Sequence, residues 1–323
     1  MNANGLLDPA YAGFVDEPAS EWTLDSLPGI RARIHGGYPS TRTAHAKQRW
    51  TPASIHGPAV RVCIYRPDSD EVDDRTLPAI FYIHGGGFVL GRPEMADAYL
   101  DNLAKALRAV VVAVDYRLAP EHPFPAPLDD CHTALEWLVA EAPALGIDRH
   151  RVVIMGHSAG GGLAAALALR VRDQGQYRSA GLMMLYPMLD HRTGTPAAAV
   201  DNPTTGTLSW TRDANRFCWQ CLRGAYAIED ERAYLFSPAL APHLQGLPPS
   251  FIGVGALDLF LEEDAAFALG LSRAGVPIEM HIYPGAPHMF DQYPGATTDQ
   301  CQRDTACALQ NMLAPRTTRM PGP

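Results

Sequence analysis

The stretch VVIMGHSAGGGLAAALAL, Val152 to Leu169, passes from a flat apolar run to a small-residue helical pattern through Gly156-His157-Ser158-Ala159-Gly160. No Asn, Asp or Pro supplies the turn, so the glycines alone must make it. Glycines flanking Ser158 leave room for a strand to double back tightly into a helix, a geometry that holds the serine hydroxyl clear of its neighbours. It also sets that hydroxyl at a helix N-terminus, where outward N–H groups favour a developing negative charge. Such a serine suits nucleophilic chemistry, although five residues taken alone also fit a serine that only caps its helix.

A serine hydroxyl needs a base, and the base needs a group that orients it. Asp258 follows the apolar run SFIGVGAL and His288 follows IEMHIYPGAP, so each sits just past a short apolar segment, as Ser158 does. Singly, Asp258 fits a cap for a helix starting near Leu261, and His288 fits a loop histidine. Jointly they complete an order of nucleophile, acid and histidine that three unrelated positions would rarely share. Asp190, after GLMMLYPML, is the competing acid; Asp115 precedes the serine and fits less well.

Attack on a carbonyl also needs donors for the oxyanion. The run His84-Gly85-Gly86-Gly87 after AIFYI has no side chains on its glycines to screen their N–H groups, and the Ala159 N–H completes the set. A phosphate-binding loop is the rival, but neither GxGxxG nor GK[ST] spacing is present. Cys218 and Cys221 in FCWQCLRGAY form a CxxC, yet no second Cys or His pair stands at ligand spacing and no strand precedes it. They read as structural thiols, as do Cys301 and Cys307, and neither metal nor cofactor is called for.

Those residues require a frame. VRVCIYR (60–66) alternates like a strand with one wet face, whereas AIFYIH, AVVVAVD, RVVIMG, GLMMLYP, SFIGVG and IEMHIYP read as buried strands. Helical spacing fills 96–107, 129–140, 161–172, 262–274 and 299–312. The alternation predicts an α/β fold with a mostly parallel central sheet flanked by helices. Residues 1–50 and 190–249 escape the rhythm and together predict a helical cap over a core of 51–189 and 250–314, with 315–323 as a flexible tail.

Composition narrows the class. The 323 residues are 47% hydrophobic and 19% charged, enough for one large domain, and the formal net charge of −9 argues against nucleic acid or an anionic membrane surface as partner. No signal-like N-terminus and no run of about 18 apolar residues is visible, so the expectation is a cytoplasmic protein without stable membrane insertion. The six cysteines are then reduced thiols. A homodimer is left open.

In combination, HGGGF (84–88), DYRLAPEHPFPA (115–126), GHSAGG (156–161), YPMLD (186–190), GALDLF (255–260) and YPGAPHMF (283–290) resemble the bacterial hormone-sensitive-lipase-like esterases and lipases of the α/β-hydrolase superfamily. The resemblance spans most of the chain. Two departures stand out: His157 where the family usually has Asp or Thr, and Asp258-Leu259-Phe260 where it often has Asp-Pro-Leu. The resemblance implies Ser158 as nucleophile, His288 as base and Asp258 as its orienting acid, with Gly86, Gly87 and Ala159 as oxyanion donors and Gly85 beside them. It implies that His84 and the Asp115-Tyr116-Arg117 segment hold the glycine loop in shape, and it makes His157 structural or pocket-lining.

The implied activity is hydrolysis of short- to medium-chain carboxylic esters, with a small-molecule ester as partner and no cofactor. An amidase or lactonase on the same triad is the alternative, and a non-catalytic small-molecule receptor a more distant one, which His288 argues against. Phe88, His157, Leu259, Met289, Phe290, Trp210 and Phe217 are expected at the pocket. Tyr11, Phe14, Val15, Trp22 and Leu24, with Trp210, Phe217 and Trp219, are expected to roof it.

Overall fold

The computed structural model describes residues 5–15, 20–37, 45–53, 57–67 and 76–315. All of the expected tail except Pro315 lies outside them. Eight strands form one sheet: β1 (Lys47–Trp50), β2 (Arg61–Tyr65), β3 (Leu77–Ile83), β4 (Val110–Asp115), β5 (Ile147–His157), β6 (Gly181–Leu185), β7 (Ser250–Gly255) and β8 (Ile278–Tyr283). Their order is β1-β2-β4-β3-β5-β6-β7-β8, with β1 and β2 antiparallel at one side and β3 to β8 mutually parallel. The helices are α1 (Leu27–Gly36), α2 (Asp97–Leu107), α3 (Ala126–Glu141), α4 (Ala159–Gln174), α5 (Arg212–Arg223), α6 (Ala233–Phe236), α7 (Leu261–Arg273) and α8 (Ala296–Leu313).

Strand periodicity of two explains why the central strands carry no polar face. In β4, Val110, Val112 and Val114 enter the apolar layer with α3 and α4, while Val111 and Ala113 enter the layer with α2 and α8. Both faces are covered, so both must be apolar. Helix α4 sits deepest: its Ala- and Gly-rich sequence is buried along nearly its whole length, because small side chains let it lie close to the sheet.

Three elements differ from the sequence expectation. Strand β2 has no wet face; its polar member, Arg61, is buried because Glu94 and Asp115 hold its guanidinium at 2.6 and 2.8 Å. Strand β8 is not buried throughout, since it closes the sheet and leaves Ile282 exposed. Strand β1, KQRW, was not foreseen: its polar residues suit a sheet edge, where charge discourages further pairing.

Between β6 and β7 the chain builds α5 and α6 joined by loops. Thr211 caps α5, its hydroxyl accepting the Ala214 N–H at 3.2 Å, and the buried face of α5 includes Cys218, Trp219 and Leu222. No described helix is long and apolar enough to cross a membrane.

Candidate active site

Three strand ends converge on one point. Ser158 follows β5 directly, at φ 55° and ψ −122°, a backbone state that ordinary residues rarely hold. The two elbow glycines permit it: a Cβ on Gly156 would overlap the Gly160 carbonyl, and one on Gly160 would overlap the carbonyl oxygens of Ile83 and His84. The turn is pinned by the Ser158 N–H donating to Leu185 O at 2.9 Å and by the Ser158 carbonyl accepting from Met188 and Gly162, each at 3.0 Å.

The structure brings Ser158, His288 and Asp258 together in a line. Ser158 Oγ lies 2.9 Å from His288 Nε2, and His288 Nδ1 lies 2.7 Å from Asp258 Oδ2. The second Asp258 oxygen accepts the Phe260 N–H at 2.9 Å, so both carboxylate oxygens are engaged. Asp258 and His288 are 0% and 1% exposed, which excludes bulk water from the ion pair that proton transfer would create. Rings of Tyr186, Phe260 and Trp210 surround the imidazole at centroid distances of 4.7, 5.1 and 5.9 Å. Asp190, the competing acid, instead binds Arg192 at 2.7 Å, and Asp115 binds Arg61.

Opposite the serine lies the glycine loop after β3. Gly86 accepts the N–H groups of Val89 and Leu90 at 3.1 and 3.0 Å, and its φ of 118° leaves no room for a Cβ, which would overlap the Leu90 carbonyl. Gly85 packs against the elbow itself. Among the described residues no acceptor takes the N–H of Gly86, Gly87 or Ala159, so three backbone donors stand free on the glycine loop and at the start of α4. The loop is held from behind: Tyr116 donates to His84 O at 2.9 Å and stacks on the His84 ring, while Arg117 forms a bidentate pair with Asp130. Burial holds the His84 imidazole below the ordinary histidine range.

The expected pocket residues divide. Phe88 packs on Trp219 and, with Leu163, Met188 and Phe236, lines an apolar cavity of about 10 Å³. Trp210 lies over both His288 and Gly87, and Trp22 meets Trp210 and Phe217 at 5.5 and 6.0 Å. Leu259 is buried against Gly206.

Met289 and Phe290, by contrast, are corrected. Met289 turns the chain at φ 61°, and both side chains join the layer of α2 and α8, where Phe290 meets Tyr11, Tyr186 and Tyr283. Tyr11 and Phe14 belong to that same layer rather than to a roof, and Val15 and Leu24 are 45% and 63% exposed. His157 points into the tyrosines of that layer, which favours its structural reading over a pocket-lining one.

Sequence reasoning missed two contributors. Arg31 of α1 donates to Val89 O at 2.7 Å and Ala119 O at 2.8 Å, bracing the glycine loop from a segment with no recognisable motif. Tyr186 was visible only as part of YPMLD, and its place just past β6 was the available signal. The CxxC thiols are free and buried: Cys218 packs against Gly87, and burial pushes Cys221 up to about 11. Among the described residues no cluster of three or more His, Cys, Asp or Glu is placed to hold a metal.

The chain is similar to known proteins along most of its length. It is 32% identical over 292 residues to an esterase, LipI, of Mycobacterium tuberculosis, covering 90% of this chain and 89% of that protein. It is 34% identical to an ethyl acetate hydrolase of Pseudomonas putida over 72% of each chain. Among solved structures, a bacterial heroin esterase superposes with a TM-score of 0.85 at 31% identity, over 96% of this chain and 99% of that one. The model of a family described as having the alpha/beta hydrolase fold matches residues 80–292, and with the motifs on either side of Ser158 it places this chain in the hormone-sensitive-lipase-like branch of the α/β hydrolases.

Proposed function

We propose that this protein is a serine carboxylesterase that hydrolyses short- to medium-chain carboxylic esters through an acyl-enzyme on Ser158. The observation that carries the reading is the hydrogen-bonded line Asp258–His288–Ser158, with the glycine loop packed against the serine turn through Gly85. As Oγ bonds to the ester carbonyl carbon, Nε2 takes its proton and the carbonyl electron pair moves onto oxygen, where Gly86, Gly87 and Ala159 donate, with Gly85 close by. Collapse expels the alcohol, which takes the proton from Nε2. Water then gives a proton to Nε2 as its oxygen bonds to the acyl carbon, and collapse breaks the acyl–Oγ bond, Oγ taking that proton back from Nε2 as the acid leaves. Asp258 keeps Nδ1–H oriented and stabilises the imidazolium.

The apolar surroundings and the net charge of −9 support a neutral, mainly apolar ester over an anionic one. The names of the relatives support the same bond class. Of the N-terminal part expected in the cap, we read residues 20–37, together with 190–249, as the cap, supported by the Trp22 contacts with Trp210 and Phe217, whereas Tyr11, Phe14 and β1 belong to the core. Six free cysteines support a reducing, cytoplasmic setting.

The test is hydrolysis of p-nitrophenyl esters graded by acyl length, with a fluorophosphonate label mapped to its residue. Turnover with label on Ser158, both lost in Ser158→Ala, is the expected result. Label on another serine, or turnover surviving in Ser158→Ala, would refute the reading.

A further inference from the structure

Directly before the nucleophile, this chain carries His157. The ring is enclosed by Tyr82 of β3 at 5.5 Å, Tyr99 of α2 at 5.7 Å and Tyr186 at 5.7 Å. Its Nε2 faces Asp291 Oδ2 at 3.7 Å, and its Nδ1 is buried with no partner. Asp291 lies just beyond His288 on the same loop and accepts the Tyr186 hydroxyl at 2.7 Å. Tyr186 in turn meets the His288 ring edge-on at 4.7 Å. It has little freedom to adjust, because its φ is 38° and its N–H is bonded to Gly253 O at 2.7 Å.

We infer that His157, Asp291 and Tyr186 form a brace that positions His288 from the side opposite Asp258. His157 presents an N–H to the Asp291 carboxylate across a gap too long for a hydrogen bond but short enough for a charge–dipole attraction. Asp291 fixes the Tyr186 hydroxyl, and the Tyr186 ring fixes the imidazole. His157 is thus a positioning residue, and the inference rests on the reading of His288 as the base.

The surroundings support a neutral imidazole. Burial holds His157 below the ordinary histidine range, the Asp291 charge opposing that and His288 adding to it. The other titratable groups packed around this cluster are Tyr82, Tyr99, Tyr186 and Cys301 of α8, whose phenols and thiol are all pushed up by burial and so stay uncharged. Asp291 therefore carries the charge that this cage has to accommodate. An aspartate at 157 would set two carboxylates against each other in a dry site, where both cannot stay ionised without one moving.

The inference predicts a specific reversal. His157→Asp should lower kcat about tenfold or more with KM changed less than about twofold, because Asp291 and Tyr186 shift while the acyl pocket does not. Asp291→Asn alone should cost about threefold. Combined with His157→Asp it should restore kcat to within about threefold of the starting enzyme, since the new amide donates to the carboxylate and its oxygen still accepts from Tyr186.

Rates are normalised to active sites titrated with a p-nitrophenyl phosphonate. Rescue of about fivefold or more by Asp291→Asn supports the brace; smaller rescue, or a loss that falls on KM, overturns it. If His157→Asp yields no folded protein, the double variant should regain folding as well as turnover, and failure to do so also overturns it. Turnover retained in His288→Gln would instead sink the reading of the base itself, so the two failures are distinguishable.

Discussion

The Trp210 indole lies 5.9 Å, centroid to centroid, from the His288 imidazole, and a Cβ on Gly87 would run into the same indole. One side chain therefore covers both the base and the glycine loop. It is fixed in place, because its Nε1–H donates to Asn215 Oδ1 at 3.2 Å and Asn215 donates to Thr193 O at 2.8 Å. A substrate must be admitted past, or shaped by, this ring.

Replacing it should change which acyl group is preferred. Trp210→Ala is expected to raise the hexanoyl-to-acetyl ratio of kcat/KM by about threefold or more while costing about 3 kcal/mol of stability for the lost buried ring. The check is kcat/KM on p-nitrophenyl acetate and hexanoate beside urea unfolding. An unchanged ratio would mean that the acyl chain runs elsewhere.

The two aspartates proposed as the acid should separate cleanly. Asp258→Asn removes the charge that holds His288 Nδ1–H and should lower kcat by about four orders of magnitude. Asp190→Asn loosens its links to Arg192 and His191, outside the triad, and should keep kcat within about threefold. The steady-state rates of the two variants decide it, and the reverse ranking would move the acid to the earlier strand.

Ser158, Asp258 and His288 were legible because each follows a short apolar run, and in a parallel sheet such runs end on one edge. What the sequence hid depends on distant partners or on loop direction. Arg61 looked like a wet-face residue because Glu94 and Asp115, which bury it, are far along the chain. Met289 and Phe290 looked pocket-facing because they adjoin His288, but the left-handed backbone at Met289 turns them to the opposite side of the sheet. Tyr11 and Phe14 looked like a roof because the residues between them and Trp22 carry no signal of a change in side.

Acid should destabilise the fold in two ranges. Burial lowers the folded-state pKa of His84, so its contribution is present above about pH 6.5 and is lost as pH falls toward that lowered value. Burial is the largest influence on Glu94 and would raise its pKa, but the Arg61 hydrogen bonds, a backbone hydrogen bond and the charges of Arg61 and Arg92 together outweigh it and lower the pKa. Its contribution is present above about pH 4.5 and lost on further acidification. Each proton gained on unfolding should steepen the decline by up to about 1.4 kcal/mol per pH unit. Urea unfolding from about pH 8 to about pH 2 reads both ranges. His84→Asn, which keeps an N–H for the Gly85 carbonyl, should make the upper range shallower and leave the lower one alone, the remaining slope coming from other buried histidines such as His157 and His191; an unaltered profile would show that His84 does not contribute.

The N-terminal segment should act on catalysis by two separate routes. Tyr11 meets Phe290 at 5.9 Å and bonds Thr298 at 3.0 Å, while Asp8 N–H donates to Gly285 O at 3.0 Å, so this part braces the loop that carries His288. Trp22, in contrast, packs on Trp210 and Phe217 of the proposed roof. Tyr11→Ala removes a fully buried ring and should cost about 3 kcal/mol, lowering kcat on acetyl and hexanoyl esters by the same factor. Trp22→Ala leaves the histidine loop supported and should instead shift the hexanoyl-to-acetyl ratio in the direction of Trp210→Ala, by a smaller amount. The comparison uses both esters on both variants, with folding followed by circular dichroism. Equal losses on both esters in Trp22→Ala would show that the indole supports the scaffold at large and that the roof stands without it.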